Sequence, residues 1–225
     1  PAAHMSGSPV VPIDEGDAGI GWLAAASEMM QRAAHAFNGA DGRLWLVDPV
    51  DTPGLDAFLT SHGEVGGVIV AFDRHRRDAA QIAERYELPV TVPPVLEDFA
   101  ASIPAETRVR PSCEAAGLRF HTLLDSRIPP WREAAVIGPD GSTVYVPEVV
   151  GRAGYYTAPG EQVGVHPMLR VSPPRRAMHA LSIETPWFGH GPGLTHAQGD
   201  VARAMRQPPT RLPPAHPGAV SGLLV

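Results

Sequence analysis

The sequence contains no lysine: all 18 of its basic side chains are arginine. That absence removes whole classes of chemistry. A P-loop needs its lysine on the phosphates, and a Schiff base to pyridoxal phosphate or to a carbonyl substrate needs an amine. Arginine replaces neither, because its guanidinium stays protonated and is a poor nucleophile. Cysteine is nearly as scarce. Cys113 is the single one, so there is no internal disulfide and no cysteine-rich zinc site. Ser112 and Cys113 have no base beside them in sequence and no G-x-S-x-G elbow occurs, which argues against nucleophilic hydrolysis. No stretch approaches ~18 consecutive apolar residues, and no basic segment leads into an apolar one, so neither a membrane span nor a signal peptide is expected. A net charge of -6 leaves no broad basic footprint for nucleic acid. A cytoplasmic protein that binds neither nucleic acid nor membrane fits these lacks best.

With 225 residues and 44% hydrophobic side chains, the chain has enough apolar material for a substantial core. Residues 1–5, Pro-Ala-Ala-His-Met, read as a cloning scar, residues 6–206 as one domain, and residues 207–225 as a Pro-rich extension. Residues 6–21 are Gly- and Asp-rich and read as irregular. Trp22, Ala26, Met29 or Met30, Ala33 and Phe37 recur at helical spacing and predict an amphipathic helix over residues 21–36. "RLWLVDPVD" (43–51) is a buried strand ending in acids and proline. "GGVIVAFDRHRRD" (66–78) repeats that design, and residues 78–89 show helix spacing closed by Pro89 before the strand "PVTVPP". This is a βαβ unit. The second half offers strands at residues 118–125, 133–138 and 142–150, the last two joined across "GPDG" as a hairpin. A Pro/Gly/Arg-rich stretch follows, then a strand running into "TPWFGHGPG" and a helix over residues 194–206.

Layered α/β folds place their chemistry just beyond strand ends. Four such places carry polar residues here: Asp48 and Asp51, the run from Asp73 through His75 to Asp78, Glu148 after "VYVP", and His190 between two glycines. This order of elements resembles the metallo-β-lactamase superfamily over about residues 18–206. The resemblance implies an α/β, four-layer αββα sandwich and a hydrolytic site whose one or two metal ions activate water. In that family an H-x-H-x-D-H signature follows the second strand. Asp73 stands at its first His, His75 matches the second, Arg77 takes the place of the metal-binding Asp, and Asp78 that of the last His. Glu148 falls at the bridging Asp, His190 at the final His and Asp48 at the supporting acid of the first strand. The remaining motif His has no clear match, with Trp131 or Glu133 near its place.

The resemblance therefore implies a rewritten site. A permanent guanidinium at Arg77 opposes a second divalent ion and pairs readily with Asp73 or Asp78. The metal candidates are Asp73, His75, Asp78, Glu148 and His190. Such a mixed set suits zinc, manganese or iron, and the reading leaves open one such ion or none. Asp78 and Glu148 are the candidate catalytic bases. Arg77, His166 and Arg170 are the candidate residues for binding a small-molecule ligand. The function expected is a hydrolase-like activity on a small molecule, and the alternative is a non-catalytic ligand- or partner-binding descendant. A homodimer is left open.

Overall fold

The structure is a computed structural model that describes residues 9–24, 26–211 and 213. The first five residues and nearly all of the extension beyond 211 lie outside the described residues. Strands β1 (Val11–Gly16), β2 (Gly19–Leu23), β3 (Ala33–Asn38), β4 (Leu44–Val47), β5 (Val65–Ile69), β6 (Val90–Val92) and β7 (Thr107–Val109) form a seven-stranded sheet in sequence order. It is antiparallel from β1 to β4 and parallel from β4 to β7. Its parallel crossovers carry helices α1 (Leu55–Thr60), α2 (Ala79–Arg85) and α3 (Glu97–Ala100). The second sheet has the order β14-β11-β10-β9-β8. Its members are β8 (Ser112–Cys113), β9 (Leu118–Arg127), β10 (Pro130–Ile137), β11 (Thr143–Val146) and β14 (Thr185–Phe188), the last parallel to β11. Between β11 and β14 lie the short pair β12 (Val150–Gly151) and β13 (Gly164–Val165) and helix α4 (Arg175–His179). Helix α5 (Gln198–Arg206) closes the order.

Alternation along the strands explains the layering, because successive side chains leave opposite faces of a sheet. On β4 and β5, Leu46 and Val68 pack with Leu55, Leu59, Ala79, Ile82 and Ala83 of α1 and α2. Their neighbours Val47 and Ile69 pack with Val136, Tyr145 and Trp187 of the other sheet. On β11 and β14 the same alternation turns Val144, Val146 and Phe188 outward onto Met178 of α4 and Val201, Ala204 and Met205 of α5. Helices, sheet, sheet, helices: the expected αββα sandwich is what these faces build.

Two expectations fail. Residues 21–36 are not a helix but the antiparallel strands β2 and β3 with a turn between them. Apolar residues here are buried on both faces, so their spacing carries no helical information. Glycine supplied the contrary signal: a Cβ on Gly21 would come within 2.5 Å of the His35 ring across the β2–β3 ladder. The irregular reading of residues 6–21 likewise misses β1. The strands of residues 43–51 and 66–78, the βαβ unit, the hairpin and the late helix stand where the spacing put them. Among the described residues no helix is long and apolar enough to cross a membrane.

Two outcomes test this packing. Leu46 is fully buried between sheet and helices, so Leu46→Ala should lower the unfolding free energy by about 2–5 kcal/mol in urea titrations. A loss below about 1 kcal/mol would contradict the layering. Burial pushes the Cys113 thiol up to about 12, so a maleimide at pH 7.5 should label it only after unfolding.

Candidate metal centre

Two pairs of parallel strands aim their C-terminal ends at one point, β4 with β5 in one sheet and β11 with β14 in the other. Asp48 follows β4, His75 sits in the turn after β5, Glu148 follows β11 and His190 follows β14. Backbone contacts hold the sheets together there: Ala33 N–H donates to the Gly189 carbonyl and Ala134 N–H to Ala71. His75, Glu148 and His190 converge, with one potential ligand atom from each lying within 4.8 Å of the others. His75 Nε2 is 3.0 Å and His190 Nε2 2.8 Å from Glu148 Oε2, and the two ring nitrogens are 3.3 Å apart. All three residues are buried.

The hydrogen bonds behind the rings fix which nitrogen faces inward. His75 Nδ1 is 2.9 Å from Asp48 Oδ2, and His190 Nδ1 is 2.9 Å from the Met30 carbonyl. Both partners only accept, so each Nδ1 carries a proton and each Nε2 is the ring atom turned toward Glu148, the one that offers a lone pair to an ion when its ring is neutral. Asp48 is itself held by the Tyr145 hydroxyl at 2.9 Å and the Ala71 N–H at 2.8 Å. Glu148 is braced from behind. The fully buried Glu133 accepts from the backbone N–H groups of Glu148 and Val149 and from the Trp131 indole. Burial pushes the Glu133 carboxyl up to about 7 despite those donors.

Positive charge is in demand at the triangle. Burial alone would raise the Glu148 carboxyl, yet His190 and His75 outweigh it and hold Glu148 well below the usual carboxylate range. Burial and Arg77 pull His75 down, and Asp48 and Glu148 more than reverse this, so His75 ends raised. Burial keeps His190 lowered. Three inward-facing acceptors with edges of 2.8–3.3 Å suit a single divalent ion with bonds of about 2.0–2.2 Å. Three ligand atoms are the number that one such ion takes from the protein in an open site.

The other site residues read from the sequence divide. Arg77 reaches the centre but spends its terminal N–H groups inside the fold, on the carbonyls of Ala33, Asp48 and Gly189 and, at 3.1 Å, on His75 Nε2. It pairs with neither Asp73 nor Asp78. Asp73 accepts from Arg132 N–H and Asp78 from Asp51 N–H, and neither joins the His75–Glu148–His190 group. Arg170 is turned into the fold. It is buried in an ion pair with Glu161 and ties down the carbonyls of Val165 and Tyr156. His166 lies against the centre, its Nε2 3.5 Å from Glu148 Oε1 and its Nδ1 accepting from Met168 N–H. Tyr156, which the sequence reading passed over, stacks on His190 with ring centroids 5.4 Å apart. The doubled tyrosine in an otherwise Gly- and Arg-rich loop was its signal.

No family model and no curated protein sequence matches the chain. Solved structures do. A metallo-β-lactamase from Hirschia baltica superposes with a TM-score of 0.61 at 12% identity, covering 89% of this chain and 99% of its own. One from Erythrobacter litoralis gives 0.61 at 11% identity, with 88% and 95% covered. FIM-1 from Pseudomonas aeruginosa, in its mono-zinc form, gives 0.59 at 13% identity, with 90% and 97% covered. The chain has the metallo-β-lactamase fold. On that metallo-β-lactamase frame, His75, Glu148 and His190 stand at the sheet edge where β4, β5, β11 and β14 end.

His166 yields a test of this geometry. Burial lowers its ring to about 4, so it is neutral in the native state and protonated in the unfolded chain between that value and about 6.5. The native state then binds fewer protons, and its stability falls as pH drops through this window. Chemical denaturation from pH 7 to pH 4 should show that loss, and His166→Gln should flatten it. An unchanged slope in the variant would place His166 in solvent.

Proposed function

We propose that this protein is a metallo-β-lactamase-like hydrolase with a one-ion centre on His75, Glu148 and His190, acting on a small molecule. One observation carries the reading: three acceptor atoms face one another inside a buried triangle, their inward direction fixed by Asp48 and the Met30 carbonyl. A carboxylate or carbonyl bonded to the far nitrogen is the arrangement that orients a metal-binding histidine and raises its basicity. Three protein ligands also leave a coordination position open, as catalytic rather than structural sites do. The neighbour FIM-1, solved in a mono-zinc form, supports a one-ion centre on this fold. The mixed nitrogen and oxygen set accommodates zinc, manganese or iron.

In this reading a bound ion supplies Lewis acidity and a water acidic enough to ionise near neutral pH. The chain supplies the rest. Asp48 keeps the His75 proton on Nδ1, Glu133 fixes the backbone from which Glu148 projects, and Arg77 holds the β3, β4 and β14 ends together with one fixed positive charge. Asp78 is taken up by Asp51 N–H, so Glu148 is the carboxylate at the reacting position. A cytoplasmic location belongs to the same proposal, on the strength of the lone, buried cysteine.

A second reading, a non-catalytic binding protein, is favoured by one contact. Arg77 already donates toward the His75 Nε2 lone pair that an ion would use. Metal analysis separates the two. Protein purified without chelator, or reloaded with Zn(II), Mn(II) or Fe(II), should carry about one ion per chain, and His190→Ala should abolish retention. Metal content near zero that no reloading raises would remove the hydrolase reading and leave the binding one.

A further inference from the structure

Among the described residues three buried side-chain atoms lack a hydrogen bond: His35 Nδ1, Asp73 Oδ1 and the Tyr156 hydroxyl. An orphaned buried polar group is costly and calls for an explanation. The Tyr156 hydroxyl faces Glu148 without meeting it in ordinary hydrogen-bond geometry, and its residue is fully buried.

The placement of that ring is built rather than incidental. It stacks on His190 at 5.4 Å and meets His166 edge-on at 5.7 Å. Glycines make room for it on both sides. A Cβ on Gly151 would lie 3.0 Å from the Tyr156 ring, and one on Gly164 would lie 2.0 Å from its carbonyl oxygen. Arg170 binds that same carbonyl, so the residue is anchored at backbone and ring alike. That anchoring leaves the phenol hydroxyl a buried donor without a hydrogen bond of ordinary geometry. The same side of the centre carries Arg74, part-exposed and stacked over the Trp131 ring with its guanidinium carbon 4.4 Å from the centroid.

We propose that the Tyr156 hydroxyl donates a hydrogen bond to an oxygen atom of the ligand bound at the His75–Glu148–His190 centre. The ligand class this selects is a small carboxylate, or a carbonyl compound whose oxygen gains negative charge during hydrolysis. Donor and ion together polarise one oxygen, and the exposed Arg74 guanidinium adds attraction for an anion. This inference rests on the one-ion reading above.

Tyr156→Phe is the informative variant because it keeps the stacked ring and removes only the donor. Co(II) loading followed by its visible absorption bands measures the centre, and acetate is the oxygen-ligand used to titrate it. The wild type should bind Co(II) and then acetate. Tyr156→Phe should bind Co(II) within about twofold of the wild type, bind acetate about tenfold more weakly, and melt no lower. Equal acetate affinity in the two proteins overturns the role of Tyr156 and leaves the metal centre standing. Loss of Co(II) binding in Tyr156→Phe also overturns it, since the hydroxyl then serves Glu148 rather than a ligand. Absence of Co(II) bands in the wild type removes the centre and the inference together.

Discussion

Polar atoms crowded together in a buried site need a proton or a cation between them, and the sandwich ends in such an arrangement. His75 Nε2, His190 Nε2 and Glu148 Oε2 stand 2.8–3.3 Å apart in a site with almost no solvent access. A buried carboxylate survives only with a cation or several donors close by. Much of the surrounding polar structure exists to impose this convergence. Asp48 and the Met30 carbonyl set the two imidazole tautomers, Tyr145 and Ala71 N–H hold Asp48, and Glu133 holds the turn that presents Glu148. Such a network resists rearrangement, because each member would leave an unpaired buried group behind if it moved.

Topology brings these groups together. Two sheets packed face to face leave their strand ends along a shared edge, and parallel neighbours end on the same side. Residues as distant in sequence as Asp48 and Tyr145, 97 positions apart, therefore come within hydrogen-bond reach. Arg77 sits across that edge and takes carbonyls from the ends of β3, β4 and β14. Its residue and Asp48 both adopt positive φ, 41° and 46°, which non-glycine residues reach only when their surroundings hold them. The guanidinium thus ties the sheets where the centre is assembled.

The sequence made strands flanked by charge easy to read. "LWLVD", "VIVAFD", "VYVPE" and "WFGHG" each show an apolar run that stops abruptly at a polar group, and these four runs frame the centre. The segment before them was misread because β2 and β3 are buried on both faces, where apolar spacing loses its period. Side-chain partners were harder still. Asp73, Asp78 and Arg170 look like site residues by position, yet backbone amides and a buried glutamate take them up. Such choices turn on which neighbour arrives within about 3 Å, and a linear pattern does not encode that. Glu133 and Tyr156 illustrate the converse, since each acquires its importance from what packs against it.

The central claim is that one cation is drawn to one point. Anomalous diffraction at the zinc edge, from crystals equilibrated with Zn(II), tests it most directly. A single strong peak bonded to His75 Nε2, Glu148 Oε2 and His190 Nε2 is the result the account predicts. An empty triangle, with zinc only on surface histidines, or two peaks about 3.5 Å apart would contradict it.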